Sequence, residues 1–196
     1  MASLDPPETT KHRSRLLEGL ARAVSEKGYA DTTIADIVRA AGVSRRTFYE
    51  HFATKAESFI ALYEAANRNT LAVLRQAIDP DHQWQTQLDR ALVAYLGGMA
   101  QNPALLRSLS IEILGLGADG LAARRRVNQE LCRFMLQVVN AGSGRARKAP
   151  LSTEMAVAVV GGINELVLQA IEQGRAAKLE QLAGPAGELV RAVTRA

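Results

Sequence analysis

Between Ser44 and His51 the chain reads Ser-Arg-Arg-Thr-Phe-Tyr-Glu-His, a dense set of groups able to bind a polyanion. The guanidinium forks of Arg45 and Arg46 match the O6/N7 edge of guanine, and the Thr47 methyl matches the thymine methyl. Ser44, Tyr49 and His51 carry the donors that hold phosphate oxygens, as do Thr33 and Lys55 on either side. Bond-breaking chemistry finds less support. His12, His51 and His82 are scattered, and there is no HExxH, no glycine-rich phosphate loop and no thiol–imidazole pair. No clustered ligands suggest a metal site, and no cofactor is expected.

Those side chains need rigid elements beneath them. Thr33 and Asp36 have the spacing of a capping box that opens a helix, after which Ile34, Ile37, Val38 and Ala41 recur at helical period. Gly42 ends the run where a positive φ carries no Cβ penalty. Ser44 is placed to cap the next helix, from which Phe48 and Phe52, four apart, face inward. Thr54 and Glu57 repeat the capping pattern for a third helix. Two short helices around a glycine turn, the second with a polar outer face, describe a helix-turn-helix over about 33–52. The alternative is an αα-hairpin whose polar face meets only water.

From about Leu16 to Tyr63 the sequence resembles the DNA-binding domain of TetR-family transcriptional regulators. The resemblance rests on Gly28-Tyr29, Thr32-Thr33, Ala-Gly-Val-Ser at 41–44, and Thr47-Phe48-Tyr49-Glu50-His51-Phe52 followed by Lys55. The family often has Leu where Phe48 stands. Beyond about Glu64 no motif matches. The resemblance implies a dimeric, ligand-responsive regulator, usually a repressor, that dimerises through its last long helices.

A chain of 196 residues, 47% hydrophobic and 22% charged, has the composition of a globular protein with a real core. Its net charge of +4 favours a polyanionic partner only weakly. Distribution is more informative: Arg39, Arg45, Arg46 and Lys55 face Glu50 alone within residues 39–55. The single cysteine, Cys132, lies on an apolar helical face and is expected in the core. No signal peptide is legible, and the apolar run Met155 to Ile163 is shorter than the ~20 residues of a membrane span. The expected location is the cytoplasm.

Hydrophobic period predicts an all-α protein. Residues 1–10 read as a polar arm and a first helix runs from about Thr10 to Lys27. A fourth helix, from Thr54 to about Ile78, is too long for a three-helix head and must enter a second body. The expected domains are therefore 1–55, carrying the helix-turn-helix, and 56–196. Helices follow at about Trp84 to Ala100, after an Asn102-Pro103 cap, and from about Leu121 to Asn140 with Asp119 as cap. Arg124, Arg125 and Arg126 near the start of the last of these are expected to be solvated or paired with acids, or to meet an anionic partner. Residues 141–150 read as an exposed basic loop. A helix at about 152–173 is apolar nearly all round, with Gly161-Gly162 suggesting close approach of another backbone. After a Gly184-Pro185 break, a final amphipathic helix covers about 186–195. These last two helices are the expected homodimer interface, as a four-helix bundle.

Trp84, Tyr95, Met99, Phe134, Met135, Asn164 and Gln169 are candidates to line an effector pocket for a small apolar or aromatic molecule, or else belong to plain core. Double-stranded operator DNA is the expected partner, read as a palindrome. A DNA-associated structural or adaptor protein without an effector is the alternative, and a helical-bundle enzyme a remote one. The effector's identity, the operator, and repression as against activation are not legible.

Overall fold

In a computed structural model of the chain, the described residues are 8–78, 84–140 and 150–194, and all regular structure among them is helical. The head is built from α1 (Glu8–Asp31), α2 (Ile34–Ala41) and α3 (Arg45–His51), and α4 (Lys55–Ala77) leads out of it. The body adds α5 (Trp84–Ala100), α6 (Pro103–Ile111), α7 (Gly117–Asn140), α8 (Thr153–Glu172) and α9 (Ala183–Thr194). Short 3-10 segments at Leu114–Leu116 and Ala176–Leu182 precede α7 and α9.

Local signals set most helix starts. Thr33 caps α2 with a full capping box, its hydroxyl accepting from the Asp36 N–H while the Asp36 carboxylate accepts from the Thr33 N–H. Ser44, Thr54, Asn102 and Ser152 cap α3, α4, α6 and α8 through their side chains. Gly42 closes α2 at φ 62°, in the left-handed region. Two expectations are corrected. α7 starts at Gly117, ahead of Asp119, which lies in its first turn. The Gly184-Pro185 pair lies within the first turn of α9, where proline's missing N–H is harmless, instead of breaking the chain before it.

The cores do not respect a boundary at residue 55. Phe59, Ala61 and Leu62 of α4 are buried with Leu16, Leu20, Ile37, Phe48 and Phe52 of the head. The same cluster takes in Leu109 of α6, Ile113 just beyond that helix, and Ala123 of α7. We therefore place the division inside α4. The body core centres on Leu92, Tyr95, Leu96, Val159, Val167, Ile171 and Leu179. Cys132 is buried with Val139, Leu151, Ala156 and Val160 in a smaller cluster, and burial pushes its thiol pKa up.

As a complete helix, α8 is longer than its apolar run suggested. Its 20 residues are long and apolar enough to cross a membrane by length and composition, although Ala156, Val159, Val160, Val167, Ala170 and Ile171 are buried inside this chain. Its two glycines differ in surroundings within this chain. A Cβ on Gly162 would meet a side chain of α9, Leu189, at 3.0 Å, while Gly161 opens onto free space. Within this chain, backbone comes close at Gly120 of α7, against the Ile113 carbonyl, and at Gly19 of α1, where an added Cβ would lie 2.7 Å from the Ala41 nitrogen and 2.8 Å from the Ile37 oxygen of α2. That fit seats α2 hard against α1.

Candidate nucleic-acid interface

Phe48 and Phe52 anchor α3. Both are essentially sealed from solvent, with ring centroids 5.8 Å apart. Burying two aromatic faces on one side of a seven-residue helix turns the other side outward without choice. Arg45, Arg46, Tyr49 and Glu50 are exposed there, and Thr47 and His51 are half-buried. The six residues form one continuous surface with Ser44, whose hydroxyl lies 2.9 Å from that of Thr47 and accepts from its N–H at 3.0 Å.

The cations of this surface hold internal partners. Arg46 pairs with Glu50 at 3.1 Å while its side chain is 90% exposed. Arg45 donates weakly to the Tyr49 hydroxyl at 3.4 Å and lies over its ring. Exposed pairs of this kind contribute about 0–1 kcal/mol, so a phosphate or base edge can replace them readily. Arg39, at the end of α2, pairs with Asp36.

Lys55 behaves differently, and its expected phosphate contact needs correction. Its ammonium turns inward and donates to the carbonyl oxygens of Tyr29, Ala30 and Thr32, at 2.9, 3.3 and 2.9 Å. It also lies 4.2 Å from the centre of the Tyr29 ring. All three donors of the ammonium are engaged, because α1 ends there and leaves its last carbonyls without helical partners. Thr33 is likewise occupied as the cap of α2, its hydroxyl donating to Asp36 at 2.6 Å.

Several residues that hold the surface in place were not singled out by sequence reasoning. Arg15 donates to the Ala41 and Gly42 carbonyls at 3.1 and 2.7 Å, and Arg22 donates to Ala40. Together they satisfy the carbonyl end of α2 where the turn into α3 begins. Lys27 pairs with Asp36 at 2.8 Å. That contact, with the hydrogen bonds from Thr33, holds the Asp36 carboxyl well below the usual carboxylate range. Cationic residues on an amphipathic first helix carry no local signature of this role, since their partners lie far along the chain.

The head also touches the body directly. The Tyr29 N–H donates to Glu112 at 3.3 Å, and the Asn102 amide donates to the Ser25 hydroxyl at 2.9 Å. Further along α4, Glu64 accepts two hydrogen bonds from Arg126 of α7, at 2.7 and 2.9 Å. One of the three consecutive arginines is thus paired with an acid.

Behind α4, two cavities lie among the described residues of the body. The narrower, about 100 Å³, is almost entirely apolar and lies among α4, α5, α7, α8 and α9. The wider, about 300 Å³, lies among α4, α5, α6, α7 and α8 and mixes apolar and polar walls. Of the expected lining residues, Phe134 and Met135 face the narrower cavity, Met99 the wider, and Tyr95 and Asn164 both. Gln169 lines neither; it lies on the exposed side of α8 with Glu165 and Glu172, one turn round from the buried stripe. Trp84 begins α5, and its side chain lies outside the described residues, as does the 141–149 part of the expected loop. Tyr63, Asn67, Arg124 and Asn128 also line the wider cavity. Their i, i+4 spacing on α4 and α7 was the available signal.

Comparison with known proteins agrees with this geometry. Residues 16–62 match the family described as bacterial regulatory proteins, tetR family. The chain is 27% identical over 132 residues to the nucleoid occlusion factor SlmA of Aliivibrio fischeri (strain MJ11), a match spanning 67% of this chain and 66% of that protein. It is 41% identical over 58 residues to the HTH-type transcriptional regulator TtgR of Pseudomonas putida, covering 30% of this chain and 28% of that one. The fold is similar to that of the transcriptional regulator FadR from Bacillus subtilis, solved in complex with stearoyl-CoA. That likeness has a TM-score of 0.69 at 18% identity and covers 90% of this chain and 96% of the other. With its helix-turn-helix on a core-anchored α3 and a helical body behind it, the chain carries over residues 16–62 the domain that the tetR family of bacterial regulatory proteins shares.

Proposed function

We propose that this protein is a dimeric transcriptional repressor that reads a palindromic operator and releases it on binding a small molecule. The observation that carries the reading is α3 itself, a helix fixed by Phe48 and Phe52 with Arg45, Arg46 and Thr47 displayed outward. Arg45, Arg46 and Thr47 are assigned to base edges, and Ser44, Tyr49 and His51 to phosphates. Thr33 and Lys55 act from behind, as a helix cap and as the clamp on the end of α1. A symmetric dimer would place two heads in successive major grooves, roughly 34–36 Å apart.

Dimerisation is assigned to α8 and α9. The outward side of α8 exposes Met155 at 42% and Val157 at 54%, beside Ala158 and Gly161. On α9, Gly184, Pro185, Glu188 and Ala192 are exposed. A small-residue and apolar surface of this kind suits close helix packing against a second copy.

Release is assigned to α4, which holds head core through Phe59 and Leu62 and cavity wall through Tyr63, Asn67, Thr70 and Leu74. A ligand that binds one tilt of α4 better than another shifts the population of head spacings. The ligand-bound fold relative and the regulator relative support this reading.

The similarity to a nucleoid occlusion factor supports a second reading, in which the head binds DNA and the body serves no effector. Selection of bound duplexes from a random library, repeated at two salt concentrations, separates the two. An inverted repeat recovered at both salts supports the operator-reading repressor. Unselected sequence with a steep salt dependence would replace it with the second reading.

A further inference from the structure

The two cavities adjoin at Tyr95, Leu131 and Asn164, which line both. Their chemistry is unequal. Hydrocarbon walls nearly all of the narrower one, whereas the wider has a cation, Arg124, at its rim and no aspartate or glutamate on its wall. Arg126 is neutralised by Glu64, but Arg124 forms no ion pair with any described residue. The electrostatic balance of the wider cavity is therefore positive.

Tyr95 gives an independent observation. Its side chain is only 6% exposed, and its hydroxyl has no hydrogen-bond partner among the described residues. Buried phenols are ordinarily bonded, because an orphaned hydroxyl loses its water for nothing in return. Burial, with the Tyr63 phenol nearby, pushes Tyr95 up to about 12, so the hydroxyl remains a proton donor at any physiological pH. The Tyr63 phenol in turn feels the charge of Arg124, which places all three groups around one space.

Resting on the reading of the body as an effector-binding domain, we propose that the ligand is an organic carboxylate with a short apolar tail. The carboxylate lies in the wider cavity, held by Arg124 and by a hydrogen bond from Tyr95. The tail passes Leu131 into the narrower cavity. At about 100 Å³ that cavity is smaller than the ~150 Å³ that lodges benzene in an apolar core, so it takes only the end of the tail, whose first carbons stay in the wider cavity of about 300 Å³. A neutral apolar effector, as the aromatic and methionine stripe suggested, would leave both Arg124 and Tyr95 unanswered.

The test is calorimetric titration of the full chain with octanoate, 1-octanol and octylamine, three probes of one length and different charge. Octanoate is expected to bind about tenfold more tightly than the alcohol, as a charge-assisted hydrogen bond requires, and the amine not at all. Arg124→Gln should lower octanoate affinity to that of the alcohol, and Tyr95→Phe should weaken it in part. Arg125→Gln, at a neighbouring exposed position that lines neither cavity, should leave it unchanged. Equal binding of acid and alcohol, indifference to Arg124→Gln, or no binding of octanoate would each overturn the proposal. Operator affinity measured alongside keeps the two readings apart. Octanoate bound through Arg124 without DNA release would support the site and overturn the repressor mechanism. Release by the alcohol alone would do the reverse.

Discussion

The Lys55 ammonium lies over the ring of Tyr29 at 4.2 Å while donating to the carbonyl of that same residue at 2.9 Å. One side chain at the start of α4 thus fastens the end of α1, and the cation faces the protein and not the surface presented to DNA. Lys55→Met should destabilise the head by about 1.5–3 kcal/mol, the range for hydrogen bonds to a charged group. Chemical denaturation followed by circular dichroism measures it. A variant with unchanged stability and uniformly weakened DNA binding would restore Lys55 to phosphate contact.

Arg45 and Arg46 should behave as readers. Replacing either with Ala should cost about 1–3 kcal/mol of discrimination at one base pair per half-site and relax preference there. Tyr49→Phe and His51→Ala should instead weaken all sequences alike. Binding to a panel of single-substitution operators distinguishes these outcomes. The same uniform loss in both sets would sink the assignment of roles.

Acid should loosen the joint between α1 and α2. The Asp36 carboxyl is depressed in the folded chain by Lys27 first and by Thr33 next. A group depressed on folding contributes stability above its unfolded pKa, about 3.9 for aspartate, and loses it as pH falls through the folded value. Asp36→Asn should therefore be less stable than the parent at pH 7, and the gap should close as the pH falls well below about 3.9. Urea midpoints across that range give the answer; a gap independent of pH would assign Asp36 a packing role only.

Gly19→Val should damage the head more than its small size suggests. The first added carbon already meets the α2 backbone at 2.7 Å, and backbone cannot rotate aside as a side chain does. Overpacking of this kind costs about 1–3 kcal/mol, and here it also displaces α2 and the α3 that follows it. Lower thermal stability with weakened DNA binding is expected. An unchanged melting temperature would mean that α1 and α2 separate freely.

Much of the head was legible because its signals are local. Thr33 with Asp36, Ser44, Gly42 and Thr54 act on backbone groups within four residues, so spacing alone reveals them. The inward-facing Phe48 and Phe52 follow from a single turn of helix. Arg15, Arg22 and Lys55 were misjudged or missed because their acceptors lie 18 to 27 residues away, a distance periodicity cannot see. In the body, helix existence was readable and facing only in part, since Tyr95, Met99, Phe134, Met135 and Asn164 do line the cavities. Gln169 falls outside the cavities by one step of α8, and Arg124 falls on the wider one by a similar margin. The 3-10 stretch Ala176–Leu182 escaped notice because Leu179 and Leu182, three apart, fit an α period equally well.

The sharing of α4 bears on how such a protein can be taken apart. A fragment ending at residue 55 would lack Phe59 and Leu62, and even one ending after Leu62 would leave bare the surface that Leu109, Ile113 and Ala123 cover. The reader is therefore not a detachable module. A chimaera that joins this head to another body inherits a fitting problem at α6 and α7, and recombination within the family must carry those surfaces along or repair them. If α3 reads the bases as proposed, DNA specificity would be changed by substitution on that helix far more easily than by exchange of whole domains.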